Sequence, residues 1–393
     1  MTMYARVLRP LLFLLPPDVA HALGFAALAP IERFGPVRAL VRAAVTPARD
    51  DRLVVRAMGL EFPNPVGLAA GFDKNARRPR ALAALGFGHI EIGTVTAREQ
   101  AANPKPNLFR LPADRGLVNR LGFPNDGAEC VAARLRAARG SVSAPVGVSI
   151  GKSRVVPVDD LNAVIADYVA SFDAVGDVAD FVVVNVSSPN TAGLRAMQAR
   201  EHARALLGNI AVRAASRSPP MPLLVKIAPD LADSELEELL AVIEETGLAG
   251  VEATNTTVMR EGLATARGVI DAVGAGGLSG PPLRRRALEV VRRARARLGR
   301  KAVVVGVGGV EHAGHAMALV RAGADFVQMY TGFVYQGPST AGRITRELAA
   351  MVEQEGARSI AELVGVEAPT SGSIRRGSRS DGQASSGVSR SND

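Results

Sequence analysis

The chain has 393 residues, 47% of them hydrophobic, a single cysteine, and a formal charge of +9. That apolar content allows a sizeable core in one large or two ordinary domains, and the lone Cys130 excludes an internal disulfide and fits a reducing compartment. No run reaches the ~20 apolar residues of a membrane span, and the apolar stretch 11–15 ends at Pro16-Pro17 without a cleavage site, which argues against a signal peptide. The excess charge comes from arginines scattered without aromatic interleaving, so nucleic-acid binding is not expected. Lysine is the rarer base: only Lys74, Lys105, Lys152, Lys226 and Lys301 occur. Lys74, Lys152 and Lys226 sit at the ends of strand-like runs, where a compact, tunable ammonium has a use.

Residues 1–45 read as a small helical extension. Val7, Leu8, Leu11, Leu12 and Leu15 recur at helical spacing, and Asp18 is the expected N-cap of a second helix through Leu28. Phe13, Leu14 and Phe25 widen the apolar arc. Such a pair either packs on the main domain or lies in a bilayer interface without crossing it. The residues alone do not choose.

Residues 46–367 form the second unit. Strands are expected at 65–71, 89–95, 145–151, 181–188, 223–229, 250–256, 302–309 and 326–332. Helices are expected at 77–85, 126–139, 159–175, 198–215, 234–246, 283–298, 312–322 and 339–355. Eight strands, each followed by a helix, predict an α/β fold of the (β/α)8 TIM-barrel type, with a doubly wound sheet as the alternative. The stretch 100–124 reads as a hairpin inserted after the second strand. Residues 368–393 are rich in Ser, Gly and Arg, cannot bury enough surface to offset ordering entropy, and are expected to be disordered.

The expected strands end alike. Phe181-Val182-Val183-Val184 is β-branched and apolar, then turns abruptly into Asn185-Val186-Ser187-Ser188-Pro189-Asn190-Thr191. Pro189 stops the strand. So polar a tip would need too many partners to be core, and reads as the floor of a site. The other tips carry Ala70-Gly71-Phe72-Asp73-Lys74, Thr94, Ser149-Ile150-Gly151-Lys152, Lys226, Thr254-Asn255-Thr256-Thr257, Gly306-Val307-Gly308-Gly309 and Tyr330-Thr331-Gly332. In a barrel these ends share one face, where active sites lie. Glycines after the last two strands point to a phosphate, and Gly274 to Gly280 would add backbone N–H groups unless it is an ordinary turn.

Lys226, flanked by apolar residues, is either a Schiff-base nucleophile or a fixed cation beneath a ring that gains electrons. Ser188 is either a structural cap or a catalytic hydroxyl. None of His21, His89, His202, His312 or His315 falls at a tip, so a Ser-His-Asp hydrolase is poorly supported. His312 and His315 lack further ligand candidates, and no metal is expected. Gly147 to Ser153 has one residue too few for a P-loop, and no G-x-G-x-x-G follows a strand.

Several stretches carry a family resemblance. They are residues 64–74, Glu91-Ile92-Gly93-Thr94-Val95-Thr96, Asn119-Arg120-Leu121-Gly122-Phe123, residues 185–195, Val225-Lys226-Ile227-Ala228-Pro229-Asp230, Thr254 to Thr257, Gly277-Leu278-Ser279-Gly280 and Gly306 to Gly309. In this order they resemble the class 2, quinone-dependent dihydroorotate dehydrogenases. The resemblance implies oxidation of (S)-dihydroorotate to orotate, in de novo pyrimidine (UMP) synthesis, on one noncovalent FMN per chain, with electrons passing to a membrane quinone. Ser188 would be the base at C5, while the C6 hydrogen leaves as hydride. Lys74, Asn119, Arg120, Leu121, Gly122, Phe123, Asn185, Asn190, Asn255 and Thr256 would hold the substrate. Ala70, Gly71, Phe72, Asp73, Lys74, Thr94, Ser149, Asn185, Lys226, Thr254, Gly280, Gly309, Tyr330 and Thr331 would hold FMN.

Class 1 relatives use a cysteine base on another loop, and Cys130 matches no such position. Serine and the helical extension, which resembles the family's quinone-tunnel element, indicate class 2. A monomer peripherally attached to the cytoplasmic side of the cell membrane is the implied state. Where the family commonly has asparagine this chain has Ser149, so the flavin contact there is lost or bridged by water. The rival readings are a Schiff-base lyase using Lys226 and a non-catalytic flavin-binding barrel.

Overall fold

The structure, a computed structural model, describes residues 3–368. The tail expected to be disordered lies, from residue 369, outside the described residues. Eight parallel strands form a closed barrel: β1 Val66–Leu68, β2 His89–Val95, β3 Val146–Ile150, β4 Phe181–Asn185, β5 Leu223–Ile227, β6 Gly250–Ala253, β7 Val303–Val307 and β8 Phe326–Met329. Neighbours follow chain order, and β8 pairs back onto β1 through Val327 and Val66. The (β/α)8 reading holds and the doubly wound alternative falls, because no edge is left open.

The helices cover the outside for the reason their spacing gives. In Leu161–Val175, Val164, Tyr168, Phe172 and Val175 recur on one face and are fully buried. Asp160 caps that helix by accepting the Ala163 N–H at 2.9 Å. Tyr168 then reaches the carbonyl oxygen of Asn185 with its hydroxyl at 2.8 Å, tying the helix to the tip of β4.

The two ends of the barrel are closed differently. At the N-terminal end an antiparallel hairpin, Val55–Ala57 with Leu60–Phe62, inserts Phe62 as a plug. Its ring centroid lies 4.5 Å from that of Phe326, 5.8 Å from His89 and 6.4 Å from Phe181. Over the C-terminal end lies the inserted hairpin, Leu108–Leu111 with Gly116–Asn119. Gly277–Ser279 joins it as a third antiparallel strand. The glycine-rich stretch before residue 280 is therefore neither a simple turn nor a free cradle.

The extension is more helical than its periodicity suggested. A π-turn Tyr4–Leu8 runs into Arg9–Phe13, followed by Pro17–Ala27, Ala29–Arg33 and Gly35–Val45. Asp18 lies inside the first turn of Pro17–Ala27, whose N-cap is Pro16, so its expected capping role is corrected. Arg110 in the inserted hairpin donates to the carbonyl oxygens of Phe13 and Leu15 at 3.2 and 2.8 Å, and Tyr4 donates to that of Val334 at 2.8 Å. Packing on the barrel leaves much apolar surface bare. Among the described residues, 11 of the 17 exposed large hydrophobics precede Val41, among them Leu11, Leu14 and Leu40.

Phe62 is 1% exposed and fills the barrel bottom without a polar partner. Phe62→Ala should cost about 3–5 kcal/mol of stability through lost burial and the cavity left behind. The measurement is the urea midpoint, and an unchanged midpoint would show that the plug carries no packing energy.

Candidate functional site

The polar tips of the strands meet in one cavity under the inserted sheet. Register brings them together. Asn185 at the end of β4 pairs with Lys226 in β5, and Lys226 with Glu252 in β6, so their side chains share the barrel interior.

Asn185 is the hub. Its amide nitrogen donates to Thr94 Oγ1 at 3.0 Å, and Thr94 exchanges a 3.0 Å hydrogen bond with Ser149 Oγ. Its oxygen accepts from the Ser187 hydroxyl at 3.1 Å and from Asn255 Nδ2 at 3.3 Å. Asn255 is held further by donating to Ser187 Oγ at 3.0 Å and accepting the Thr256 N–H at 2.7 Å. A second amide pair closes the opposite wall, where Asn190 Nδ2 donates to Asn119 Oδ1 at 3.1 Å. These amides, Asn185 buried and the others half-buried, are positioned by each other, which fixes their orientation before any ligand arrives.

Ser188 is 5% exposed and lines the cavity. Its oxygen accepts the Asn190 backbone N–H at 3.2 Å. Among the described residues no carboxylate or imidazole accepts its proton, so the hydroxyl is not part of a triad; the bond from Asn190 is the backbone cap that the structural reading expected, and it leaves the proton of Ser188 free for chemistry. Lys74 Nζ donates to the Gly71 carbonyl oxygen at 2.5 Å. Desolvation pulls its pKa down to about 8, against the opposing pull of Asp73.

At the tips of β7 and β8 the main chain is bare. Gly309 after β7 has φ of 70°, and Gly280, after the strand Gly277–Ser279 of the inserted sheet, has φ of 101°; both line the cavity. A Cβ at Gly332 would stand 1.9 Å from the Val310 carbonyl oxygen. Helix Thr331–Gln336 begins there, with first-turn N–H groups that have no intrahelical acceptor. Bare backbone with free donors suits a phosphate, and Lys226 at the floor suits a planar electron acceptor above it. The residues present thus fit a flavin mononucleotide.

Most residues singled out from the sequence line this cavity. Lys74, Asn119, Leu121, Gly122, Phe123, Asn185, Ser188, Asn190, Asn255 and Thr256 do so. So do Ala70, Gly71, Thr94, Lys226, Thr254, Gly280, Gly309, Tyr330 and Thr331. Four stand apart. Ser149 is fully buried behind Thr94. Asp73 accepts the backbone N–H groups of Arg77 and Arg78 at 3.0 and 2.7 Å, shaping the loop after β1. Arg120 turns away, donating to the Val273 and Ala275 carbonyl oxygens at 3.0 and 3.1 Å. Phe72 packs outward, 5.5 Å from the His21 ring and 6.0 Å from that of Tyr330.

That outward chain of rings borders a second, more open cavity between the extension and the barrel. It is lined by the rings of His21, Phe25 and Phe72 and by Asp73, Lys74, Asn75 and Arg77. Burial, helped by nearby Lys74, pulls His21 down to about 4, so its ring is neutral.

One residue escaped the sequence reading, and two that lay within the motif 185–195 were given no role. Gln328 also lines the main cavity. The Thr191 hydroxyl is buried without a partner, three residues after Ser188. Arg195 bridges loops by donating to the carbonyl oxygens of Ser187 and Thr256, both at 3.1 Å, and to Asp230 at 2.8 Å. A polar residue inside an apolar strand was the available signal for Gln328; the other two depend on tertiary placement.

The family model described as dihydroorotate dehydrogenase matches residues 52–352. A Thermobifida fusca protein named dihydroorotate dehydrogenase (quinone) is 51% identical over 369 residues, covering 93% of this chain and 97% of the relative. A Rhodococcus opacus protein of the same name is 50% identical, covering 93% and 99%. Among solved structures, that of DHODH from Eimeria tenella in complex with ferulenol has a TM-score of 0.76 at 34% identity, covering 89% of this chain and 95% of its own.

Lys74 is the charged group at the cavity wall with a pKa inside the working range. Below about pH 8 it is an ammonium and attracts an anion; above, the attraction fades. Affinity for a small carboxylate ligand, measured by titration, should therefore fall as pH rises through and beyond that value. Lys74→Met should bind weakly and without that fall, and a wild-type affinity that stays level to pH 10 would remove Lys74 from the anion site.

Proposed function

The chain belongs to the dihydroorotate dehydrogenase family, and from that premise we propose how its residues oxidise dihydroorotate to orotate with a quinone as final electron acceptor, a step of pyrimidine biosynthesis. The observation that carries the assignment is the convergence of Lys74, four asparagines and Ser188 on one cavity floored by Lys226. Dihydroorotate is a planar-sided cyclic imide bearing a carboxylate. Lys74 supplies the countercharge for the carboxylate. Asn119, Asn185, Asn190 and Asn255 offer paired donors and acceptors for the ring amides, already oriented by their mutual hydrogen bonds. A noncovalent FMN, one per chain, supplies the hydride acceptor when bound, held by the glycine tips, Thr331 and Lys226.

Ser188 removes the C5 proton. The Asn190 N–H that its oxygen accepts stabilises the alkoxide as it forms. Since no carboxylate or imidazole among the described residues takes the hydroxyl proton directly, that proton would pass through water, and the step is expected to quicken as pH rises. The Schiff-base alternative requires a neutral lysine. Lys226 lies 2.9 Å from Glu252 and 3.9 Å from Glu91. Desolvation pulls its pKa down, but Glu252, joined by Glu91 where that is ionised, outweighs it and the net shift is upward, so the nitrogen stays protonated.

The unit 1–45 acts separately from the unit 46–367. Its exposed apolar residues suit the membrane interface, and no helix among the described residues is long and apolar enough to cross a membrane. The cavity beside His21 and Phe72 shares Lys74 with the main site and offers an approach from that surface, apolar along its rings and charged along Asp73, Lys74 and Arg77. A monomer seated peripherally on the cytoplasmic face of the cell membrane follows from this reading.

Two experiments test it. Ser188→Ala should retain FMN but lose ~10²–10⁴-fold in the anaerobic rate of flavin bleaching by dihydroorotate. In the wild type that rate should climb from neutral to alkaline pH; near-normal bleaching by the alanine variant would move the base elsewhere. Deleting residues 1–45 should spare bleaching in FMN-loaded protein, greatly slow reoxidation by a long-tailed quinone and weaken vesicle binding. A soluble dye should still accept electrons. Unimpaired turnover of membrane quinone by the truncated protein would reduce the helices to packing.

A further inference from the structure

Beneath the cavity floor the barrel holds a polar layer that the chemistry of Ser188 leaves unused. His89 and Glu91 on β2, Lys226 on β5, Glu252 on β6 and Gln328 on β8 are each at most 5% exposed. Gln328 Nε2 donates to Glu91 Oε2 at 3.0 Å and to Glu252 Oε1 at 3.1 Å, and stands 3.3 Å from His89 Nε2. Lys226 and Gln328 reach up to the cavity, while Glu252 lies behind them. Its carboxylate touches Lys226 at 2.9 Å on the side away from solvent.

The charges in this layer can be counted. Burial, with the neighbouring Glu252, pushes Glu91 up to about 8, so it is a neutral acid at pH 7. Burial pulls His89 down to about 4, so its ring is neutral too. Burial also opposes ionisation of Glu252, but Lys226 overcomes it and the net shift is downward. What remains is one cation and one anion in contact. The floor is then close to neutral, not the bare cation that Lys226 alone would present.

We propose that Glu252 is a positioning residue that holds Lys226 and offsets its charge, lowering the electron affinity of the flavin above. The proposal rests on the reading that a flavin lies over Lys226. Reduction puts negative charge on the ring, and an unopposed ammonium in a low-dielectric floor would stabilise that charge strongly. Electrons must also leave, to quinone. A carboxylate directly behind the ammonium weakens its hold and keeps both half-reactions within reach.

The test is the midpoint potential of the flavin in the full-length, FMN-loaded protein at neutral pH. Glu252→Gln keeps the shape and an oxygen acceptor but removes the charge. Its potential should rise, and quinone reoxidation should slow while bleaching by dihydroorotate is maintained. Glu252→Asp keeps the charge and should stay near wild type. Glu91→Gln removes no charge at pH 7 and should also stay near wild type. Above about pH 8 the wild-type potential should fall below that of Glu91→Gln as Glu91 ionises. An unchanged potential in flavin-loaded Glu252→Gln overturns the proposal, as does an equal rise in Glu91→Gln at neutral pH. A wild type that takes up no flavin overturns the cofactor reading along with it. Should Glu252→Gln fail to fold, carboxyl NMR of the wild type decides: Glu252 ionised with Glu91 protonated at pH 7 supports the proposal, and a protonated Glu252 refutes it.

Discussion

Closure of the barrel is the constraint on which everything else hangs. Once β8 pairs with β1, no strand edge remains and the interior becomes a narrow shaft that only side chains can fill. Its contents are layered. Phe62, Phe181 and Phe326 seal the N-terminal end around His89. Above them sit Glu91, Glu252, Lys226 and Gln328, and above those the amide-lined cavity. Polarity rises along the shaft because water is reached only at its open end, and each polar layer must satisfy itself from within. Glu91 Oε1 and Gln328 Oε1 remain without partners, which marks the middle layer as the one where burial is least compensated.

The same closure explains the rigidity of the site. Thr94, Ser149, Asn185, Ser187 and Asn255 belong to four loops or strands yet form one hydrogen-bonded set. No one of these side chains can turn without leaving another unpaired in a buried position, which costs more than the bond itself contributes. Arg195 extends the set outward, fixing the loop that bears Ser188 to those that follow β5 and β6. Ser149 belongs to this frame and not to the cavity wall, so a hydroxyl at that position still serves by holding Thr94.

Much of this was readable from the sequence because the barrel signal is local. Each strand is a short β-branched run, each run ends in polar residues, and the spacing between runs accommodates one helix. The eight tips could be placed on one face without any knowledge of pairing. What was not readable depends on register or on distant packing. The three-residue strands at Val55–Ala57, Leu60–Phe62 and Gly277–Ser279 are too short to show a period. Helix Gly35–Val45 opens with Gly-Pro, which reads as a break, although proline suits a first helical turn. Phe72, Asp73 and Arg120 sit in motif positions but turn outward, and only the folded loops decide that.

Glu252 shows where local reading stops. A carboxylate in the run Gly250-Val251-Glu252-Ala253 conflicts with the buried strand around it, and such a conflict is itself a signal. The sequence could say that Glu252 needs a cationic partner inside the barrel. It could not say which, since Lys226 becomes its neighbour only through the parallel register of β5 and β6. Lys226 taken alone looks like a free cation awaiting a ligand; taken with Glu252 it is half of a neutral pair. On the proposed reading the cavity above would owe its anion affinity to Lys74, while the floor contributes a countercharge already partly spent. Substrate attraction and electron affinity would then be governed by different lysines, each adjusted by the groups packed behind it.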